Sequence, residues 1–197
     1  MDPWSIAAVA AGYLIGSVDF GVVVPRLRGV DIYAVGSGNP GATNVLRNMG
    51  RSTAGLVLLG DLLKGLGAAA LGDIVGGEAV GFAAGFAAVA GHCFPIWHRF
   101  RGGKGVAAAG GMVMWMEPIL GLILLAVWVG VTMLARKASI ASLLLSALLV
   151  PGLAFFGHRG WSLMWAGLAV ALVMYRHRGN IERLVRGSEH TIEGSPA

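Results

Sequence analysis

The residues best suited to chemistry lie in the run Gly36-Ser37-Gly38-Asn39-Pro40-Gly41-Ala42-Thr43-Asn44-Val45-Leu46-Arg47, a glycine-rich polar stretch between two long apolar segments. It offers little to pack, so its composition points to a ligand. Gly36, Gly38 and Gly41 lack the Cβ atoms that would keep backbone N–H groups away from an anion. Thr43 is suited to cap a short helix ending near Gly50, and a helix N-terminus reached through glycines attracts anions. Asn44 and Arg47 are three residues apart and share a face with Thr43, which gives a polar wall with one fixed positive charge. Phosphate is the expected ligand.

Two nucleotide motifs compete with that reading. Gly36-x-Gly38-x-x-Gly41, with Asp61 downstream, satisfies the dinucleotide fingerprint in form. That fingerprint needs a βαβ unit, and the flanking segments here are long and rich in Ala, Leu and Gly. The run Arg101-Gly102-Gly103-Lys104-Gly105 resembles a P-loop only in its last letters: His98 stands where the first glycine belongs, and Gly105 replaces Ser or Thr.

The elements that carry these loops belong to a membrane. The 197 residues are 56% hydrophobic and 13% charged, and mean hydropathy is +0.73; soluble domains average about 25% charged residues. The composition predicts an all-α integral membrane protein with a single domain over 1–197. The start, Met1-Asp2-Pro3-Trp4, has no basic segment, so the first apolar run reads as a retained span. Apolar runs at 4–25, 52–72, 79–97, 105–116, 119–135, 138–156 and 161–175 predict about seven transmembrane helices. Several fall short of the ~20 residues of a full crossing, so five spans is the alternative. Arg26, Arg28, Arg47, Arg51, Arg99, Arg101, Lys104, Arg136, Lys137, Arg176, Arg178, Arg183 and Arg186 fall on one side. Only Arg159 falls on the other, and Lys64 lies within a span. The positive-inside rule places the N-terminus outside and the C-terminus, with the polar loops, in the cytoplasm.

Within the spans, Gly12-x-x-x-Gly16 and Gly81-x-x-x-Gly85 predict close helix contacts. Asp19 and the Asp61/Lys64 pair are ionisable groups at membrane depth, where they face the protein interior and serve structure or a site. Trp97, Trp115, Trp161 and Tyr175 fall at predicted span ends, as an interfacial aromatic belt does. Cys93 reads as a small apolar residue. His and acidic residues show no ligand spacing, so no metal is expected, and no nucleic-acid partner or cofactor is expected. Pro95 ends or kinks the third span. Beyond it, glycines around Lys104 expose amides near the start of the next helix. Ser139 and Ser142 place two hydroxyls at a helix start, where capping suffices for Ser139. The tail predicts an interfacial helix capped by Asn180, with Ile181, Leu184 and Val185 on one face. His177 adds a titratable group beside it.

Taken together these motifs resemble the bacterial membrane acyltransferases that acylate glycerol 3-phosphate from acyl phosphate. The resemblance covers almost the whole chain. It rests on Gly16-Ser17, the 36–47 run, Asp61-Leu-Leu-Lys-Gly65, Gly91-His with Phe94-Pro95, Gly102-Gly-Lys-Gly-Val106, Ser139-x-x-Ser142 and His177-x-x-Asn180-Ile-x-Arg183-Leu. It implies a cytoplasmic site built from the 36–47 loop, the 102–106 loop and the 177–189 tail. It implies Ser37, Arg47, Lys104, His177 and Asn180 as catalytic residues. Gly38, Asn39, Gly41, Thr43, Asn44, Gly102, Gly103, Ser139 and Ser142 are implied for substrate binding. The implied setting is the bacterial inner membrane, with acyl phosphate and glycerol 3-phosphate as substrates, membrane lipid around it and a soluble acyl-phosphate-forming enzyme as a partner. The sequence departs from the pattern at Asp19, where proline is frequent, at Ala108 in place of threonine, and at Gly187-Ser-Glu189 in place of Gly-Thr-Glu. An anion transporter and a headgroup-binding module are the competing classes.

Overall fold

The computed structural model describes residues 1–193 and is helical in nearly every apolar run. Nine α-helices follow in order among the described residues: α1 Pro3–Gly16, α2 Phe20–Leu27, α3 Ala42–Gly76, α4 Glu78–Cys93, α5 Val106–Met116, α6 Pro118–Ala135, α7 Ala138–Phe155, α8 Trp161–Arg176 and α9 Arg178–Val185. Five stretches are long and apolar enough to cross a membrane: 3–27, 42–76, 78–98, 118–135 and 138–155. Val106–Met116 and Trp161–Arg176 are apolar but shorter. Much of α6 faces outward, with Leu122 60% and Leu134 88% exposed; such apolar area suits lipid rather than water.

The first apolar run is not one helix. Asp2 caps α1, its Oδ1 accepting from the N–H groups of Trp4 at 2.9 Å and Ser5 at 3.1 Å. The chain then breaks at Ser17, and Asp19 caps α2 by accepting from Gly21 N–H at 3.0 Å. A buried carboxylate at this position thus starts a new helix inside the predicted span. Gly50 interrupts α3 with φ 82° and ψ 176°, so the expected short helix ends there and a long one resumes.

Backbone contact through glycine sets the packing. A Cβ on Gly12 would lie 2.6 Å from Ala84 O, and one on Gly16 would lie 2.2 Å from Ala88 O. These contacts run α1 and α4 side by side in the same direction, as the first small-residue motif predicts. Gly81 and Gly85 instead receive the side chains of Met116 and Met112 from α5. Where α5 crosses α3, a Cβ on Gly65 would meet Ala108 O at 2.0 Å and one on Gly111 would meet Leu62 O at 1.9 Å. The main apolar core, with Phe82, Met112 and Leu153 fully buried, lies among α4, α5, α7 and α8.

Pro95 follows the end of α4, and the polypeptide turns through a short 3-10 helix, Ile96–His98, into the glycine loop before α5. At the other end of the bundle, His158 Nδ1 pairs with Glu78 Oε1 at 2.8 Å and Nε2 lies 3.5 Å from Glu117. Trp115 Nε1 donates there to Asp73 Oδ2 at 3.1 Å. The two ends therefore differ in sign, one rich in Arg and Lys and the other carrying Asp73, Glu78 and Glu117.

Candidate active site

A cavity of about 200 Å³ opens where the 36–47 loop, the turn before α5, the start of α7 and the tail meet. Ser37, Asn39, Gly41, Thr43, Asn44 and Arg47 line it from the first loop. Lys104 lines it from the second, Ser139 and Ser142 from α7, and His177 and Asn180 from the junction of α8 and α9. From Lys104 along α5 to Met114 the walls become apolar, with Val113, Leu124 and Leu149 among them. The helical part of that stretch, Val106 to Met114, is about 12 Å long at 1.5 Å per residue.

The loop is shaped by Asn44. Its Oδ1 accepts from Ser37 N–H at 3.0 Å and its Nδ2 donates to Val35 O at 3.1 Å, so this buried amide braces the turn that presents Ser37. Gly36 at φ 57° and Gly38 at φ 65° make the turn possible, and Gly38 N–H is spent on Val35 O at 3.0 Å. Gly38 is outside the cavity lining. Thr43 does not cap α3: the cap position is Gly41 with no side-chain bond, and Thr43 turns to the cavity one position inside the helix.

Gly102 and Gly103 also lie outside the lining and serve packing. A Cβ on Gly102 would sit 2.0 Å from His92 O, and one on Gly103 would sit 2.2 Å from His92 Nε2. Gly103 N–H donates to His92 O at 3.0 Å, so this amide is not exposed to an anion. Arg176 grips the strip from the opposite side, Nη2 donating to Gly102 O at 2.6 Å and Nε to Gly103 O at 3.0 Å. Gly105, at φ 86°, turns the backbone into α5.

Lys104 Nζ donates to Asn180 Oδ1. Burial pushes its ammonium down to about 8; Glu189 opposes the fall, and Arg183, Arg47 and Arg176 reinforce it. Asn180 is not the cap of α9, which starts at Arg178 with His177 before it. Its amide instead bridges two charges, because Nδ2 donates to Glu189 Oε1 at 2.6 Å. Ser139 Oγ donates to the same oxygen at 2.9 Å, and Arg183 Nε donates to Oε2 at 2.8 Å. Burial raises the Glu189 carboxyl, but these donors outweigh it and hold it below its ordinary value. Ser139 therefore serves the tail rather than capping α7. Ser142 Oγ accepts from Trp128 Nε1 at 3.1 Å and donates to Ala138 O at 2.9 Å.

Arg47 Nε donates to Thr191 O at 2.6 Å and Nη2 to His190 O at 3.4 Å, so this guanidinium also fastens the tail over the cavity. His177 Nδ1 lies 2.8 Å from Val173 O, which assigns the ring proton to Nδ1 and leaves a lone pair on Nε2. Burial pushes the imidazole down to about 4; the Val173 bond works against this and the Lys104 charge adds to it. His177 is neutral at pH 7.

Glu189 is the central residue to which the sequence reading assigned no role, although the Gly187-Ser-Glu189 motif names it. Glu182 and Glu193 share the arginine-rich tail, and nothing local marks Glu189 out from them. Asp61 and His92 reach the cavity as well. Asp61 Oδ1 pairs with Lys64 Nζ at 2.8 Å, as the three-residue spacing predicts. His92 and Asp19 join them, contrary to the expectation that acids and histidines do not cluster: Asp19, Asp61 and His92 each bring a ligand atom within 4.8 Å of the others. Lys64 Nζ also lies 2.8 Å from His92 Nδ1, so an ammonium already serves as the cation of this group.

A model of the glycerol-3-phosphate acyltransferase family matches residues 6–187. A glycerol-3-phosphate acyltransferase of Sinorhizobium medicae is 40% identical over 191 residues, covering 96% of this chain and 93% of that protein. One from Hyphomonas neptunium is 44% identical over 196 residues, covering 96% and 94%. The crystal structure of PlsY (YgiH), an integral membrane glycerol 3-phosphate acyltransferase, in its glycerol 3-phosphate form superposes with a TM-score of 0.91 at 40% identity, over 95% of this chain and 94% of that one. The lysophosphatidic acid form gives 0.89 at 39% identity, with the same coverage. With the family model matching residues 6–187 and curated relatives of 40% identity or more covering 96% of its length, the chain belongs to the glycerol-3-phosphate acyltransferase family.

Proposed function

We propose that this protein transfers a fatty acyl group from acyl phosphate to the 1-hydroxyl of glycerol 3-phosphate, releasing 1-acylglycerol 3-phosphate and inorganic phosphate. The observation that carries the reading is the two-ended cavity: Lys104 and Arg47 at a polar end, then apolar walls along α5, α6 and α7. Such a cavity matches a product made of a phosphate head and an alkyl chain. The relatives' names and the two ligand forms of the PlsY structure support the same substrate and product.

Acyl phosphate is an activated donor, so the protein's task is proximity and electrostatics. Lys104 and Arg47 hold phosphate oxygens, Ser37 and the 39–41 backbone bind beside them, and Thr43 or Ser142 orients an oxygen. The glycerol hydroxyl oxygen attacks the carbonyl carbon, the bond from that carbon to the phosphate oxygen breaks, and the hydroxyl proton must leave. His177 at about 4 is a weaker base than a phosphate monoester, whose second pKa is about 6. The proton therefore goes to a phosphate oxygen, and His177 Nε2 accepts a hydrogen bond that aligns the hydroxyl. We place the site at the cytoplasmic face of the bacterial inner membrane, with the N-terminus outside, on the sign of the charges at the two ends.

The test supplies purified protein in lipid with a long-chain acyl phosphate, with and without glycerol 3-phosphate. Phosphate release that depends on glycerol 3-phosphate and yields monoacylglycerol phosphate is the expected result. Binding of both phosphates by folded protein with no release would point to transport instead.

A further inference from the structure

Lys104 is the central cation of the proposed site, yet it sits in the irregular turn before α5, outside any helix that could hold it there. The residues before it are two glycines whose backbone is gripped from both sides. Arg176 holds the Gly102 and Gly103 carbonyls. On the opposite side His92 takes the Gly103 N–H on its carbonyl, and its ring leaves no room for a Cβ at Gly103. The ring in turn is fixed from behind, because Lys64 Nζ lies 2.8 Å from its Nδ1, 2.8 Å from Asp61 Oδ1 and 2.8 Å from Val18 O. Lys64 and His92 are 5% and 3% exposed, Asp61 2% and Asp19 0%. Four ionisable groups buried at membrane depth are costly to keep, and capping α2 needs only Asp19 among them.

We propose that the buried Asp61–Lys64–His92 cluster is a positioning site that, with Arg176 opposite, fixes the Gly102–Gly103 strip so that the Lys104 ammonium points into the cavity. The cluster joins three places: the break between α1 and α2 through Val18 O, the middle of α3, and the inner end of α4. A shift at any of them moves the loop that carries Lys104. Asp19 adds a second carboxyl group, which matches two acidic with two basic side chains. The inference rests on Lys104 being the phosphate-holding cation of the proposed function, and its test uses a readout that does not require turnover.

The experiment is competitive acetylation of the folded protein across pH, with Lys104 followed by peptide mass spectrometry, alongside kcat and KM for glycerol 3-phosphate. In the wild type the Lys104 labelling midpoint lies near 8, as burial dictates. In His92→Ala the strip loosens, water reaches the ammonium and the midpoint moves up by at least one unit towards the free lysine value of about 10.4. kcat/KM falls at least tenfold. His92→Gln, whose side-chain oxygen can still accept from Lys64, restores most of both. Gly103→Ala, whose Cβ would press on the His92 ring and part the strip from it while keeping every cluster side chain, gives the same upward shift and covers the case in which His92→Ala does not fold. His158→Ala, at the opposite end of the bundle, lowers the melting temperature and leaves the midpoint unchanged. An unchanged midpoint in folded His92→Ala or Gly103→Ala, or an equal shift in His158→Ala, overturns the proposal. A wild type with the expected midpoint but no turnover would instead sink the assigned reaction.

Discussion

At the scale of single residues, the proposed site separates the cations assigned to phosphate from the groups that hold those cations. Lys104 and Arg47 are irreplaceable in this reading because each supplies a charge at a fixed place. The role proposed for His177 is alignment, since burial leaves it neutral with only a weakly basic Nε2. Lys104→Ala and Arg47→Ala therefore abolish turnover, whereas His177→Ala keeps a measurable rate reduced by about 10²-fold, the lower range for a lost proton-handling or aligning group. Equal losses in all three variants would reverse this ranking. The Lys104 ammonium also sets a pH limit. It is a cation below about 8 and neutral above it, and only the cation attracts phosphate. kcat/KM for glycerol 3-phosphate falls with rising pH through about 8; a profile flat to pH 10 would show that Lys104 is not the essential charge.

At the scale of elements, glycine decides which helices can approach. The crossing of α3 and α5 depends on Gly65 and Gly111, whose missing Cβ atoms leave space for the carbonyls of Ala108 and Leu62. Backbone cannot move aside as a side chain does, so Gly111→Ala forces the helices apart at a cost of about 1–3 kcal/mol. The expected result is a lower melting temperature in detergent, with a reduced kcat because α5 also carries one wall of the cavity. Gly110→Ala, whose new Cβ meets nothing within 4 Å, leaves the melting temperature nearly unchanged. The contrast between these neighbours is the measurement. The tail is held by polar contacts: α9 is only eight residues long and is tied to Glu189 through Asn180 and Arg183, while Arg47 holds the residues beyond it, and its own apolar face leaves Val185 84% exposed.

At the scale of the whole molecule, the asymmetry of charge between the two ends is the ground for the proposed orientation of the bundle. Cysteines placed at exposed Arg99 and Arg159 should react with a membrane-impermeant reagent from opposite sides, Arg99 from the cytoplasm; labelling of both from one side would refute the arrangement. Composition and hydropathy determined that the chain is a helical membrane protein, because apolar runs of this length have no other stable form in lipid. Arg47 and Lys104 drew attention as cations among glycines, Thr43 and Asn180 read as helix caps, and the resemblance added Ser37 and Asn180 as site residues; all five line the cavity. Their spacing also announced the Asp61–Lys64 pair, since three helical residues bring side chains onto one face. The tertiary structure decided what depends on distant partners. It broke the first span at Asp19, gave Gly102 and Gly103 a packing duty, drew His92 to Lys64 across 28 positions, and made Glu189 the anchor of Ser139, Asn180 and Arg183. Local sequence encodes periodicity and charge. Which buried polar groups meet is settled only when helices pack, because each must find its hydrogen-bond partner wherever the fold brings one.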